Sequence, residues 1–229
     1  MSAEFDQYAT EYSHLLNDPL RDRFTSDPVF FHRRKWMLIR DFFAQRNVNP
    51  SNLRWLDVGS GQGELLRLAG GSFAQAVGCD PSSKMIQSCP GEEVYEQPSP
   101  AEFPFPDRSF DFITAVCVYH HVHGGDRALL TKSIQRVLKP GGLFCMIEHN
   151  PWNPVTRTIV GRCAVDVDAE LLAASNASQL LNAGGFELLR TIYFLYLPEK
   201  LFGHFGAMER PLERAPLGGQ YALLGQAPV

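Results

Sequence analysis

The five cysteines (Cys79, Cys89, Cys117, Cys145 and Cys163) contain no C-x-x-C pair. That odd, unpaired spacing offers neither a disulfide framework nor a structural zinc site, and a reducing cytoplasm is the expected compartment. Long apolar runs are also missing. Stretches such as Phe112–Val118 stop well short of the ~20 residues that span a bilayer, and the stretch Met1–Tyr12 carries acids where a signal peptide needs basic and apolar runs. No membrane partner is expected. Positive charge is not in excess: 21 Lys and Arg stand against 25 Asp and Glu, a net charge of −4. No basic field therefore advertises a phosphate backbone, and no nucleic-acid partner is expected. Internal repeats and low-complexity tracts are absent as well.

What the 229 residues do hold, 45% of them hydrophobic, is enough for one domain with a sizeable core. Apolar residues recur at helical spacing through Phe5, Tyr8, Tyr12 and Leu15 and again through Trp36–Ile39 and Phe42–Phe43, so residues 1–50 read as a helical cover. From Leu53 short apolar runs alternate with helical patterns. Strands are expected at Arg54–Val58, Gln75–Cys79, Glu93–Glu96, Phe110–Val116 and Leu143–Ile147, with helices at Gly63–Ala69, Ser82–Ser88 and Arg127–Leu138. Such alternation means an α/β fold with a parallel sheet covered on both faces. Residues 51–150 form this core. Residues 151–229 add helices from about Pro154 and over Ser175–Ala183, then two strand-like runs, Phe186–Leu197 and Gln220–Gly225, that can pair antiparallel at the sheet edge. Between those runs no strong helical signal stands out.

The sharpest motif is Leu56-Asp57-Val58-Gly59-Ser60-Gly61-Gln62-Gly63, where a strand ends and a helix begins. Glycines there permit a tight turn and close approach of a ligand, and the following helix offers free N–H groups. The dinucleotide pattern G-x-G-x-x-G fails, because the sixth position from Gly59 is Glu64. Asp57 beside the loop would repel a pyrophosphate but favours a cationic ligand. S-adenosylmethionine has that charge, with an ammonium, a sulfonium and a carboxylate for the loop N–H groups. Asp80, seventeen residues after Gly63, reads either as an acceptor for ribose hydroxyls or as the cap of the next helix.

These residues resemble the class I S-adenosylmethionine-dependent methyltransferases, in particular the small-molecule group called type 11, which includes relatives of the quinone-biosynthesis methyltransferases. The resemblance runs from about Phe5 to Gly225 through four blocks: Leu56–Gly63, Gly78–Met85, Phe103–Asp111 continuing to Tyr119-His120-His121-Val122, and Arg136–Gly142. It implies a Rossmann-like sheet of seven mostly parallel strands, with an antiparallel C-terminal edge strand. It also implies that Asp57, Gly59 and Gly61 line the methionine end and Asp80 holds the ribose. Pro81 and Met85 would pack by the adenine, and the backbone of Ala115 and Val116 would lie beside the amino-acid part. One departure stands out. Where the family has an Asp followed by Ala, this chain has Ser99-Pro100-Ala101-Glu102, and proline has no N–H to give the adenine. Either the Ser99 hydroxyl serves or the register slips to the Ala101 N–H.

Methyl transfer from a sulfonium chiefly needs an acceptor atom held in line with the methyl, so few catalytic groups are obligatory. His121 and His149 follow the fourth and fifth strands and are the candidate bases; each also reads as a loop-bonding residue. A metal site from His120, His121, His123, Glu148 and His149 is not expected, because adjacent imidazoles tend to point apart and the spacing is unfamiliar. The run His32-Arg33-Arg34-Lys35 reads as a solvated helix face or, alternatively, as a contact for an acidic acceptor or a sugar phosphate. The aromatic segment Tyr193–Pro198 reads as a buried edge strand or, alternatively, as part of an acceptor pocket or a dimer contact. The expected reaction is methyl transfer to a small-molecule acceptor. The alternatives are an adenosyl-binding module without turnover and a methyltransferase acting on RNA or protein. Nothing in the sequence speaks to oligomeric state.

Overall fold

The computed structural model describes residues 5–229, apart from the side chain of Ser13; Met1–Glu4 of the acidic amino terminus lie outside the described residues. Seven strands form one sheet in the order β3-β2-β1-β4-β5-β7-β6. They are β1 (Arg54–Val58), β2 (Gln75–Asp80), β3 (Val94–Glu96), β4 (Phe110–Val116), β5 (Leu138–His149), β6 (Glu187–Phe194) and β7 (Gln220–Gln226). The first five pair in parallel. The C-terminal strand runs antiparallel as expected and lies one place in from the edge. β7 sits between β5 and β6 and pairs antiparallel with both, leaving β6 outermost.

Alternation along each strand feeds two cores, one on each face of the sheet. Leu56, Val58, Ile113, Ala115, Phe144, Met146, Tyr221 and Leu223 face the helices Arg127–Val137 and Ala174–Ala183. Trp55, Phe112, Cys145, Ile147, Ala222 and Leu224 face the helices Phe30–Gln45 and Glu64–Ala69. With both faces covered, central strands read as continuous apolar runs, which is why they stand out in the sequence.

The helical cover comprises Tyr12–Leu15, Pro19–Phe24 and Phe30–Gln45. Asp18 starts the second of these by accepting from the Leu20 N–H at 2.7 Å, with Pro19 in the first turn. The third ends where Asn47 takes a left-handed φ of 54°. The charge run in this helix is not a solvated face. Arg34 and Lys35 are buried, because they fall four residues from Phe30 and Phe31 and four before Leu38 and Ile39, on the apolar stripe. Arg34 pairs with buried Glu209 at 2.5 Å and lies over the Phe202 ring. Its partners come from the helix Glu199–Phe205 and the 3₁₀ segment Gly206–Leu212, both in the stretch where no helical signal is legible. Among the described residues no helix is long and apolar enough to cross a membrane.

Candidate functional site

Strand order reverses between β1 and β4, and ligands of open α/β sheets bind outside the carboxyl ends of strands at such a point. A cavity of about 750 Å³ opens there. The loop after β1 turns through Gly59, Gly61 and Gly63, all with left-handed φ (66°, 55° and 75°). A Cβ on Gly59 would lie 2.5 Å from a Val118 methyl, so the loops after β1 and β4 meet only because this residue is glycine. Around Gly61 the corresponding space is open.

Asp80, at the end of β2, accepts from the Gly61 N–H at 2.8 Å and the Ser82 N–H at 2.9 Å, and it lines the cavity. It therefore anchors the glycine loop, while the Ser82 side chain caps the next helix. The N–H groups of Gly59 and Ser60 go to the Cys79 carbonyl, and that of Gly63 to Ser60. The donors expected to meet a ligand carboxylate are thus largely committed. A positive charge is supplied instead by buried Lys35, which lines the cavity and whose field reaches Asp57. The signal for Lys35 was its helical phase. Asp57 itself is buried and accepts from the Thr114 hydroxyl at 2.6 Å. Burial pushes its carboxyl up to about 7, against the opposing pull of Thr114 and Lys35.

Of the positions singled out in the sequence, Asp57, Gly59, Gly61, Asp80, Pro81, Met85, Ser99, Val116, His121 and His149 all line this cavity. Ala115 and Ala101 do not. Ala115 is fully buried in the core beneath the strand ends. The Ala101 carbonyl is turned away to accept from Ser133, and Ser99 and Glu102 close a small bridge around it. Phe5 and Tyr12 line the cavity, whereas Tyr8, which packs on Phe5, does not. The amino-terminal segment lies over the cofactor side: Asp6 accepts from the Ser82 hydroxyl at 2.6 Å, and the Gln62 amide donates to the Ala9 carbonyl.

At the far end lies a buried acid–imidazole network. His120 Nδ1 donates to Glu148 Oε2 at 2.5 Å, and Glu148 Oε1 accepts from the Val118 and Tyr119 N–H groups. Asp166, which the sequence did not mark, comes within 3.5 Å of His120 and 3.3 Å of His121. Burial works against the His120 charge, but Glu148 and Asp166 outweigh it and raise the imidazole to about 10. Burial would likewise raise Glu148, yet the His120 charge holds it below its ordinary value. His149 is driven down to about 4, first by burial and then by the His120 charge, and His121 is lowered by burial. Two neutral imidazoles and one charged one thus face a common space. The adjacent histidines do not point apart. Their ring centroids are 4.1 Å apart, because the 3₁₀ turn Tyr119–His121 brings both against Asp166.

Residues 56–146 match the family model described as a methyltransferase domain. The chain carries a methyltransferase domain over that stretch. Among sequence relatives, the ubiquinone/menaquinone biosynthesis C-methyltransferase UbiE of Hahella chejuensis is 32% identical over 66% of this chain and 60% of that protein. An uncharacterized methyltransferase, YcgJ, of Bacillus subtilis is 33% identical over 44% of this chain and 43% of that one. The chain spans about half the length of the curated relatives it matches. A solved S-adenosylmethionine-dependent methyltransferase of Thermotoga maritima covers 98% of both chains with a TM-score of 0.66 at 18% identity. The [4+2]-cyclase SpnF superposes with the same TM-score, also at 18% identity, over 98% of this chain and 94% of its own. These likenesses show the fold. The residues present fit S-adenosylmethionine as the methyl donor of such a domain. Two carboxylates, Asp57 and Asp80, line the cavity together with Gly61 and suit an ammonium and a ribose diol, and buried Lys35 on the same lining suits a carboxylate.

Proposed function

We propose that this chain transfers a methyl group from S-adenosylmethionine to a small-molecule acceptor by in-line displacement. The observation that carries the reading is the cavity of about 750 Å³, inside the ~300–1,000 Å³ range of small-molecule sites. It runs from the carboxylates at the β1 and β2 ends to a wall that includes Phe24, Phe31, Val155, Leu195 and Tyr196. A polymer would want an open basic groove, which suits a chain of net charge −4 poorly. The Hahella chejuensis relative named above is a C-methyltransferase of ubiquinone/menaquinone biosynthesis, which favours a small-molecule acceptor.

In this reading Asp57 meets the cofactor's ammonium, Lys35 its carboxylate and Asp80 its ribose, while Pro81, Met85 and Ser99 flank the adenine and the Val116 backbone borders the methionine chain. Ala115 supports the floor from behind, and Ala101 fixes the turn that carries Ser99. The helical cover and the segment from Pro151 to about Ala174 shape the acceptor end of the one domain. The cofactor brings a methyl already activated on a sulfonium. The protein then has to exclude water and aim the acceptor within ~3–3.5 Å of it. His149, held neutral by burial and by the His120 charge, accepts a proton from a hydroxyl or acidic carbon. His121, steadied by Asp166, positions the acceptor.

Calorimetry with S-adenosylmethionine, followed by transfer assays over phenols, quinols and amines, tests this. Asp80→Ala should weaken cofactor binding by roughly 1–3 kcal/mol, and His149→Ala should lower turnover more than cofactor affinity. A chain that takes up NAD and ignores the sulfonium nucleoside would defeat the proposal. Methylation of tRNA with a steep salt dependence would move it to a macromolecular acceptor.

A further inference from the structure

His120, His121 and Asp166 converge on one point of the cavity wall. Nε2 of His121 and Nε2 of His120 lie 3.3 Å and 3.5 Å from the same atom, Oδ1 of Asp166, and one ligand atom from each residue falls within 4.8 Å of the others. Both separations exceed the ~2.9–3.0 Å of a settled N–H···O bond. They match the edge of a coordination tetrahedron instead: bonds of about 2.0–2.1 Å to nitrogen and oxygen place neighbouring ligand atoms about 3.3–3.4 Å apart.

We propose that His120, His121 and Asp166 bind a divalent transition-metal ion, with zinc the best match to two imidazoles and a carboxylate. A second, separate observation supports it. The other nitrogen of His120 donates to Glu148 at 2.5 Å, and Glu148 is itself fixed by two backbone N–H groups. Metal-bound histidines characteristically carry such an outer carboxylate, which sets the tautomer and aims the remaining nitrogen at the ion. Charge also closes. On binding, the proton on His120 Nε2 leaves to solvent, and the dication is then faced by two carboxylates, Glu148 and Asp166. Three protein ligands with the fourth side turned to the cavity is the arrangement of a catalytic rather than a structural zinc site. The open position suits an oxygen of the acceptor, which makes a hydroxyl-bearing molecule the favoured class. That last clause rests on the methyl-transfer reading; the ion site itself does not.

The test is to strip the full chain with chelator and titrate it with Zn²⁺ alone and with Co²⁺ alone, measuring stoichiometry after desalting and the visible Co²⁺ spectrum. The expected result is one equivalent bound and the intense d–d bands of a four-coordinate ion. His121→Ala and Asp166→Ala should lose both signals, and Glu148→Gln should weaken affinity about 10–100-fold. His204→Ala, on an exposed helix, should change nothing. Failure of the wild-type chain to retain an equivalent overturns the proposal, whether or not the variants fold. Retention undiminished in folded His121→Ala means an adventitious ion only and overturns it too. Calorimetry with S-adenosylmethionine on the stripped protein reads the methyltransferase assignment separately, so the two can fail independently.

Discussion

The Thr114 hydroxyl donates to Asp57 at 2.6 Å while accepting from the Trp55 indole at 2.8 Å. This chain of bonds orients a carboxylate that has almost no solvent. In the unliganded protein its carboxyl titrates near 7 instead of near 3.8 because burial penalises the charge. A raised folded-state value means that stability is complete below the unfolded value and is lost as pH climbs through about 7.

Asp57→Asn keeps the acceptor for Thr114 and removes the buried charge. The unliganded variant should therefore gain stability over wild type chiefly between pH 5 and 7, by roughly 2–3 kcal/mol across that window. Denaturant melts at pH 5 and pH 8 read the difference. The same variant should bind S-adenosylmethionine more weakly at pH 8, where wild-type Asp57 is ionised. Equal stability gains at both pH values would contradict the raised titration.

The two loop glycines should separate structure from binding. Gly59→Ala meets Val118 at 2.5 Å and keeps a left-handed φ, so strain and overpacking together should cost roughly 2–5 kcal/mol of stability. Gly61→Ala has room for its methyl and should lose only about 1–2 kcal/mol, yet the methyl projects where the cofactor is proposed to lie. Thermal melts and calorimetry on both variants should show stability falling most in the first and affinity falling most, relative to stability, in the second.

Lys35→Met should leave the fold intact, since the long apolar side chain suits the helix stripe, and should weaken S-adenosylmethionine by roughly 1.5–3 kcal/mol through the lost charged contact. Adenosine, which has no carboxylate, should bind both proteins alike. Equal losses for the two ligands would place Lys35 outside the proposed carboxylate contact.

Glu209→Ala strands the Arg34 charge inside the protein and should cost about 3–5 kcal/mol. Glu209 also accepts from the Tyr196 and Leu197 N–H groups at 3.1 and 2.9 Å, so the C-terminal segment should loosen first, which hydrogen exchange would show.

The strands were legible because a sheet covered on both faces must be written as short apolar runs ending in turn residues; Arg54–Val58 and Phe110–Val116 stand where the runs stand. The glycine loop and Asp80 were legible because backbone geometry dictates residue type. Less could be read where the deciding neighbour is distant. Arg34 looks solvated until Glu209 arrives from 175 positions away, and His120 and His121 converge only on Asp166. The place of β7 inside the sheet was hidden for the same reason: alternation fixes that a strand exists, whereas its neighbours depend on how the chain returns.

That insertion reverses the order of synthesis and assembly at one side of the molecule. β6 leaves the ribosome well before β7, yet β7 supplies its ladder. Until Gln220–Gln226 emerge, the apolar residues of β6 have no hydrogen-bonded neighbour, and an unpaired strand of that kind is sticky. A chain truncated between Leu195 and Gly219, with β6 free and β7 missing, would thus be the species that chaperones bind.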